Sequence, residues 1–335
     1  MSDSQTRTIV LGDTTIAQAV FGPLHRHVAQ IQEAFRDPNA PRGSPAYRLT
    51  LDAQGDKLVA RAPAGKAGEA DLERVQRVVD AIIDLARRKG RVREGEVLAA
   101  IAFSEAPGNK PGPMTLPQVG GLVLRTPRQV HYVEALRDEN IDLIFGVGPA
   151  GTGKTFLAVA AAVEAMKQER VDKIIVTRPA VEAGEKLGYL PGDLAEKVDP
   201  YLQPIWDAFR SQMSENDLKA RRERRQIEVA PLAFMRGRTL SNAFVIADEA
   251  QNATILQMKM VLTRLGEGSR MVVTGDPSQI DLVRPDQSGL AHAISILEDV
   301  PGVEVIRFAT QDVVRHRLVA HIVDAYHRDE GARGG

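Results

Sequence analysis

Residues Gly148-Pro149-Ala150-Gly151-Thr152-Gly153-Lys154-Thr155 satisfy the spacing G-x-x-x-x-G-K-[ST] in full. That pattern is built for phosphate. Its glycines let successive backbone N–H groups turn inward on phosphate oxygens, and a following helix adds the field of its positive end. Lys154 is placed to reach the outer phosphates, and Thr155 offers a hydroxyl to Mg2+. A second reactive pair, Asp248-Glu249, ends the apolar run Ala243-Phe244-Val245-Ile246-Ala247. Asp248 would support Mg2+ and Glu249 would polarise an attacking water. The second acid also selects the chemistry. An enzyme that phosphorylates a metabolite must keep water inactive, so Glu249 points to hydrolysis.

Gln279, in Gly275-Asp276-Pro277-Ser278-Gln279, follows a further apolar run and is placed to sense the γ-phosphate or orient water. Upstream of the loop lie Gln129 and Tyr132. A glutamine amide can match the two hydrogen-bonding positions of adenine, and an aromatic ring can stack on the base. The guanine signature N-K-x-D is absent, since Asn109-Lys110-Pro111-Gly112 has the wrong fourth residue and precedes the loop. ATP is therefore the expected nucleotide. Near the end, Arg315 in Asp312-Val313-Val314-Arg315-His316 can stabilise transition-state charge or form a surface salt bridge, and Arg264 is a second candidate.

Such residues need strands to deliver them. Apolar runs at 143–147, 173–177, 243–247, 271–274 and 303–308 alternate with helical stretches, the pattern of a mostly parallel, doubly wound α/β sheet. The fold expected for 122–330 is a P-loop NTPase, RecA-like domain. Before it, residues 104–121 hold Pro107, Pro111, Pro113 and Pro117 among glycines and read as an interdomain linker, with room for a short hairpin. Residues 1–103 read as a small α+β domain. A helix is predicted over 21–35, strands over 47–51 and 57–60, and a second helix striped by Leu72, Val75, Val79, Ile82 and Leu85 and stopped at Gly90. This order is compatible with a KH-like RNA-binding module, although Gly22-Pro23-Leu24-His25 lacks the second glycine of a GxxG clamp. Residues 331–335 read as a disordered tail.

The 335 residues carry 43 basic and 44 acidic side chains, and cysteine is absent. Disulfides, thiolate zinc sites, iron–sulfur clusters and cysteine nucleophiles are thereby excluded. No run approaches the length of a membrane span, and the polar start lacks signal-peptide order, so a cytoplasmic protein without membrane contact is expected. Balanced charge argues against a uniformly basic nucleic-acid coat. Two local clusters remain: Arg87, Arg88, Lys89, Arg91 and Arg93, and then Arg221, Arg222, Arg224 and Arg225, the latter without aromatic neighbours in sequence. Both read first as solvated helix ends.

Taken together, the phosphate loop, the run 177–188 (TRPAVEAGEKLG) with Leu190-Pro191-Gly192-Asp193, the segment 196–201, Asp248–Asn252, 275–282 and 312–316 resemble the PhoH-like ATPases. Their core looks like the first motor lobe of superfamily 1 helicases. The resemblance implies a Mg2+-dependent ATPase that acts on or with RNA, beside an endoribonuclease of the YbeY type. It matches Gln129 to an adenine-contacting glutamine, while Arg128 stands where asparagine is usual. The run after Thr177 resembles a helicase motif that touches the nucleic-acid backbone, which makes Arg178 and Lys186 strand-contact candidates. Arg315 corresponds to an arginine finger supplied across a homo-oligomeric ring, with a hexamer as one possible size. A single lobe needs a second subunit to complete a motor. The alternative is an ATP-gated scaffold that switches a partner endoribonuclease without moving along a strand.

Overall fold

A computed structural model describes residues 4–37, 46–105, 114–179, 194–282, 284 and 287–314. The chain forms two compact units, Met1–Gln118 with Val123–Pro127, and Val119–Leu122 with Arg128–Gly335. Part of the proline-rich stretch (106–113) and the proposed tail (331–335) lie outside the described residues.

In the first unit, β1 (Ser4–Val10), α1 (Thr14–Phe21), α2 (Arg26–Glu33), β2 (Thr50–Gln54), β3 (Lys57–Pro63), α3 (Lys66–Lys89) and α4 (Glu94–Glu105) follow in order. The strands form an antiparallel sheet in the order β1-β3-β2. One side packs on the apolar stripe of α3, where Leu72, Val75, Val79, Ile82 and Leu85 are buried. Helix α3 ends where Gly90 takes φ 66°, with its N–H on the Ala86 carbonyl. This is the left-handed cap expected of glycine.

The helix predicted over 21–35 is only α2, and α1 ends where the prediction began. Gly22 (φ 69°) closes α1, and Pro23, lacking an N–H, opens a single tight turn. Leu24 and His25 then both adopt positive φ, at 52° and 56°, before α2 begins. Val28, Ile31 and Phe35 of the predicted helix are buried, whereas Leu24, inside the break, is almost fully exposed. The strand β1 was not foreseen, since it alternates polar residues on an exposed face.

The second unit is a six-stranded, wholly parallel sheet. After a hairpin of β4 (Gln118–Val119) and β5 (Leu122–Val123) come α5 (Pro127–Arg137), β6 (Leu143–Val147), α6 (Lys154–Lys167), β7 (Lys173–Arg178), α7 (Leu194–Arg210), α8 (Glu215–Glu223) and β8 (Ile227–Pro231). Then follow β9 (Ala243–Ala247), α9 (Ile255–Leu262), β10 (Arg270–Gly275), α10 (Gly289–Leu297) and β11 (Val303–Arg307). The strand order is β11-β6-β10-β9-β7-β8. Strands buried on both faces read as continuous apolar runs, which is why β6, β7, β9 and β10 were legible; β11, at one edge and only partly buried, was read from Val303, Val305 and Ile306. The sixth, β8, sits at the sheet edge, mixes Glu228 into a short run and ends at Pro231, as an edge permits.

Candidate functional site

Parallel strands bring their carboxyl ends to one rim, where open α/β sheets place their ligands. Adjacent strands β6, β10, β9 and β7 deliver, in that spatial order, the phosphate loop, Gly275–Gln279, Asp248-Glu249 and Arg178.

The loop is shaped by its glycines. Gly148 has φ 137°, and a Cβ there would lie 2.3 Å from the Phe308 carbonyl oxygen, so only glycine fits. Gly151 and Gly153 also take positive φ, and α6 starts at Lys154. The Val314 N–H donates to the Gly151 carbonyl at 2.9 Å, which ties the end of the described chain to the loop. Gln129 is buried and donates through Nε2 to the Thr152 carbonyl at 2.9 Å. It therefore abuts the loop, as a base-contacting residue would need to.

Lys154 folds back over its own loop. Its Nζ donates to the Gly148 carbonyl at 2.6 Å and the Pro149 carbonyl at 2.8 Å. Burial holds its pKa below the ordinary lysine value, against opposing pulls from Asp276, Glu249 and Asp248. A phosphate arriving in the loop would replace those carbonyls with a better acceptor.

Thr155 Oγ1 donates to Asp248 Oδ1 at 2.5 Å, and Thr274 Oγ1 donates to the same oxygen at 2.6 Å. The Asp248 N–H is fixed on the Thr177 carbonyl at 2.8 Å. A carboxylate and a hydroxyl this close form a hard oxygen donor set that suits Mg2+. Glu249 has φ 51°, a conformation that costs a non-glycine residue of order 1–3 kcal/mol and clusters at functional sites. Its Oε2 accepts from Gln251 Nε2 at 2.6 Å.

Gln251 is the residue the motif reading passed over. It is buried, and its Oε1 accepts from the Asp276 N–H at 3.0 Å, which links the tips of β9 and β10. Asp276 in turn accepts from Gln279 Nε2 at 2.9 Å and from Ser278 Oγ at 2.7 Å. Gln279 is thus anchored on the same network. Asn252 and Asp281 pair reciprocally beside it, at 3.1 and 2.8 Å. A carboxamide two residues beyond a pair of acids was the available signal for Gln251.

Two expectations change. Tyr132 is wholly buried: its ring packs edge-on against Phe308, and a Cβ on Gly146 would lie 2.9 Å from it. It supports β6 from beneath and presents no face to a base, and burial drives its phenol well above the usual tyrosine range. Arg264 donates to the carbonyls of Met260 and Arg238 at 3.2 and 3.3 Å, so its guanidinium caps the end of α9 and does not project as a finger. Arg222 lies 4.2 Å above the buried Trp206 ring, a packing contact. Lys186 and Arg315 lie outside the described residues. Arg178 falls at the acids themselves, with Nη1 3.9 Å from Asp248 Oδ2 and Nη2 3.7 Å from Glu249 Oε1. Among the described residues, no helix is long and apolar enough to cross a membrane.

This is the arrangement of a P-loop nucleotide site, and comparison with known proteins places it in a family. A family model described as "PhoH-like protein" matches residues 122–327. A PhoH-like protein of Bacillus subtilis (strain 168) is 57% identical over 203 residues, covering 61% of this chain and 63% of the relative. One from Synechocystis sp. (strain ATCC 27184 / PCC 6803 / Kazusa) is 56% identical over 206 residues, covering 62% of each. The match thus spans about three fifths of the length of these curated relatives. A solved structure described as a Sulfolobus solfataricus SWI2/SNF2 ATPase core in complex with dsDNA covers 60% of this chain and 48% of that one, at 14% identity and a TM-score of 0.36, a likeness too slight to bear weight. The family model takes in more than half of the sequence, and the chain belongs to the PhoH-like protein family.

Proposed function

We propose that the protein is a Mg2+-dependent ATPase that acts on or with RNA. The observation that carries the ATPase reading is the hydrogen bond of 2.5 Å between Thr155 and Asp248, which joins the phosphate loop to the acids across 93 residues of sequence. Thr155 and Asp248 would hold the metal ion, which when bound neutralises charge on the phosphates. Lys154, released from the loop carbonyls, binds the outer phosphates. Glu249 takes the proton of the attacking water, and Gln279, anchored on Asp276, reports the γ-phosphate to β10. Gln129, at the edge of the loop, contacts the base.

The RNA half of the reading is supported by the first unit. Its run β1-α1-α2-β2-β3-α3, followed by α4, and its antiparallel sheet β1-β3-β2 are compatible with a KH-like module. The position of the phosphate clamp, between the first two helices, is held by Gly22-Pro23-Leu24-His25, with His25 at a positive φ in the place of the missing glycine. Assembly into a ring, with Arg315 reaching a neighbour's site, and a cytoplasmic partner endoribonuclease of the YbeY type belong to the same proposal.

The test is Glu249→Gln. It should retain ATP binding by calorimetry and lose phosphate release by about 100-fold or more, the usual scale of a lost general base. Undiminished turnover would remove Glu249 from this role. RNA-stimulated turnover, measured beside strand unwinding, separates a motor from an ATP-gated scaffold.

A further inference from the structure

Helix α8 runs from an acidic start to a basic end. The acids at its start are engaged: Glu215 accepts from Arg210 at 3.1 Å, and Asp217 accepts from the Ser214 hydroxyl at 3.0 Å. The stretch 219–225 then carries Lys219, Arg221, Arg222, Arg224 and Arg225 against Glu223 alone. Two of these bases are held by the fold. Arg221 donates to Gln226 Oε1 at 3.3 Å, and Arg222 lies over the buried Trp206 ring. Lys219, Arg224 and Arg225 are exposed and make no side-chain hydrogen bond or ion pair among the described residues.

The turn that closes α8 is fixed. The Gln226 N–H reaches back to the Arg221 carbonyl at 2.9 Å, and the Arg225 N–H to the Arg222 carbonyl at 2.9 Å, the paired bonds of a Schellman cap. Its left-handed position, which favours glycine, is held by Arg225 at φ 57°. The Gln226 carbonyl also accepts the Ile174 N–H at 2.8 Å, which sets Lys173, the first residue of β7, beside this turn. Glu228 of β8 feels the charges of Lys173 and Arg225, yet its two oxygens are taken by Arg238 at 2.6 and 2.8 Å. Glu223 and Asp172, both exposed, do not balance the remaining bases.

This surface lies at the amino ends of β7 and β8, on the rim opposite the phosphate loop. No large apolar side chain is exposed on α8 or at the start of β7 among the described residues. A protein partner generally needs such an anchor, whereas a polyanion needs charge and donors. Guanidinium groups supply both, binding two phosphate oxygens side by side.

We propose that the basic end of α8, through Lys219, Arg224 and Arg225 with Lys173 beside them, binds the phosphate backbone of RNA. The proposal rests on the RNA reading and deepens it by placing a strand contact away from the nucleotide. Phosphate contacts carry no base information, so this contact is indifferent to sequence.

The experiment uses the full chain with fluorescein-labelled uridine and adenosine homopolymers, and reads Kd by anisotropy at several salt concentrations. Arg225→Gly is the decisive variant, because glycine suits the left-handed turn. It should unfold at the wild-type temperature or above and keep the wild-type ATP turnover without RNA. It should nevertheless bind both homopolymers about tenfold more weakly, the scale of one lost charged hydrogen-bonded contact. The slope of log K against log salt should become shallower by about 0.7, the share of one single-strand phosphate. Arg224→Glu, which does not depend on the turn, should weaken binding in the same way. Wild-type affinity and slope in both variants would overturn the proposal alone, leaving RNA to another surface. A loss confined to one homopolymer would overturn backbone recognition. Vesicles containing phosphatidylserine form a parallel arm, and Arg225-dependent binding to them without RNA binding would overturn RNA in favour of a lipid surface. Wild-type protein that binds neither is the failure of the RNA reading itself, and the proposal falls with it.

Discussion

Tyr132 places its phenol where no partner meets it among the described residues: its hydroxyl is buried and lacks a hydrogen bond. An unpaired buried hydroxyl costs about 1–3 kcal/mol. The ring, by contrast, packs on Phe308 and into the space left by Gly146. Tyr132→Phe should therefore raise stability by about 1 kcal/mol in denaturant titration and leave the KM for ATP unchanged. A raised KM would return the residue to the base site. The contrast with Gly148–Thr155 explains what can be read at this scale. The loop's chemistry depends on neighbours in sequence, so eight letters suffice. The orientation of Tyr132 depends on a glycine in β6 and a phenylalanine after β11, which no local pattern connects. The same holds for Arg178, whose approach to Asp248 and Glu249 follows from β7 lying beside β9.

Elements register the same division between local and distant causes. Helix α3 was legible because its stripe and its glycine stop are local signals, whereas the break between α1 and α2 required weighing Gly22-Pro23 above an uninterrupted apolar periodicity. Packing between elements adds ionisation. Arg137 at the end of α5 holds Glu164 of α6 by two hydrogen bonds, at 2.7 and 2.8 Å, and the Gly120 N–H adds a third at 3.2 Å. Burial alone would raise the Glu164 pKa. The Arg137 hydrogen bond and the Gly120 amide outweigh it and hold the carboxyl below its ordinary 4.5. A carboxyl with a depressed folded pKa stabilises the fold at pH above its ordinary value and loses that contribution as pH falls through the depressed one. Arg137→Met should therefore lower stability at neutral pH and flatten the decline below about pH 4.5, as read by thermal unfolding across pH.

For the whole molecule, one of the two units carries the phosphate loop and its acids among the described residues, and the charge balance of 43 against 44 leaves no general attraction for RNA. In the ring proposed above, neighbouring copies would complete a site and local patches would face a common interior. Lys154→Ala mixed with Arg315→Ala tests this. If Arg315 acts on a neighbour, mixed assemblies should regain ATPase activity above the sum of the separate variants, because some interfaces then hold an intact loop facing an intact arginine. Mixed particles verified by mass that recover nothing would place Arg315 on its own chain's site or outside it.

The hydrogen bond from Val314 to the Gly151 carbonyl reaches beyond loop geometry. An amide tied to the phosphate loop exchanges its proton with solvent only when the loop lets go. That one N–H is thus a built-in clock for loop opening. Bound nucleotide should slow it together with the amides of 148–155, and it should do so whether or not catalysis follows. Exchange at Val314 would time the arrival and departure of nucleotide from the far end of the described chain.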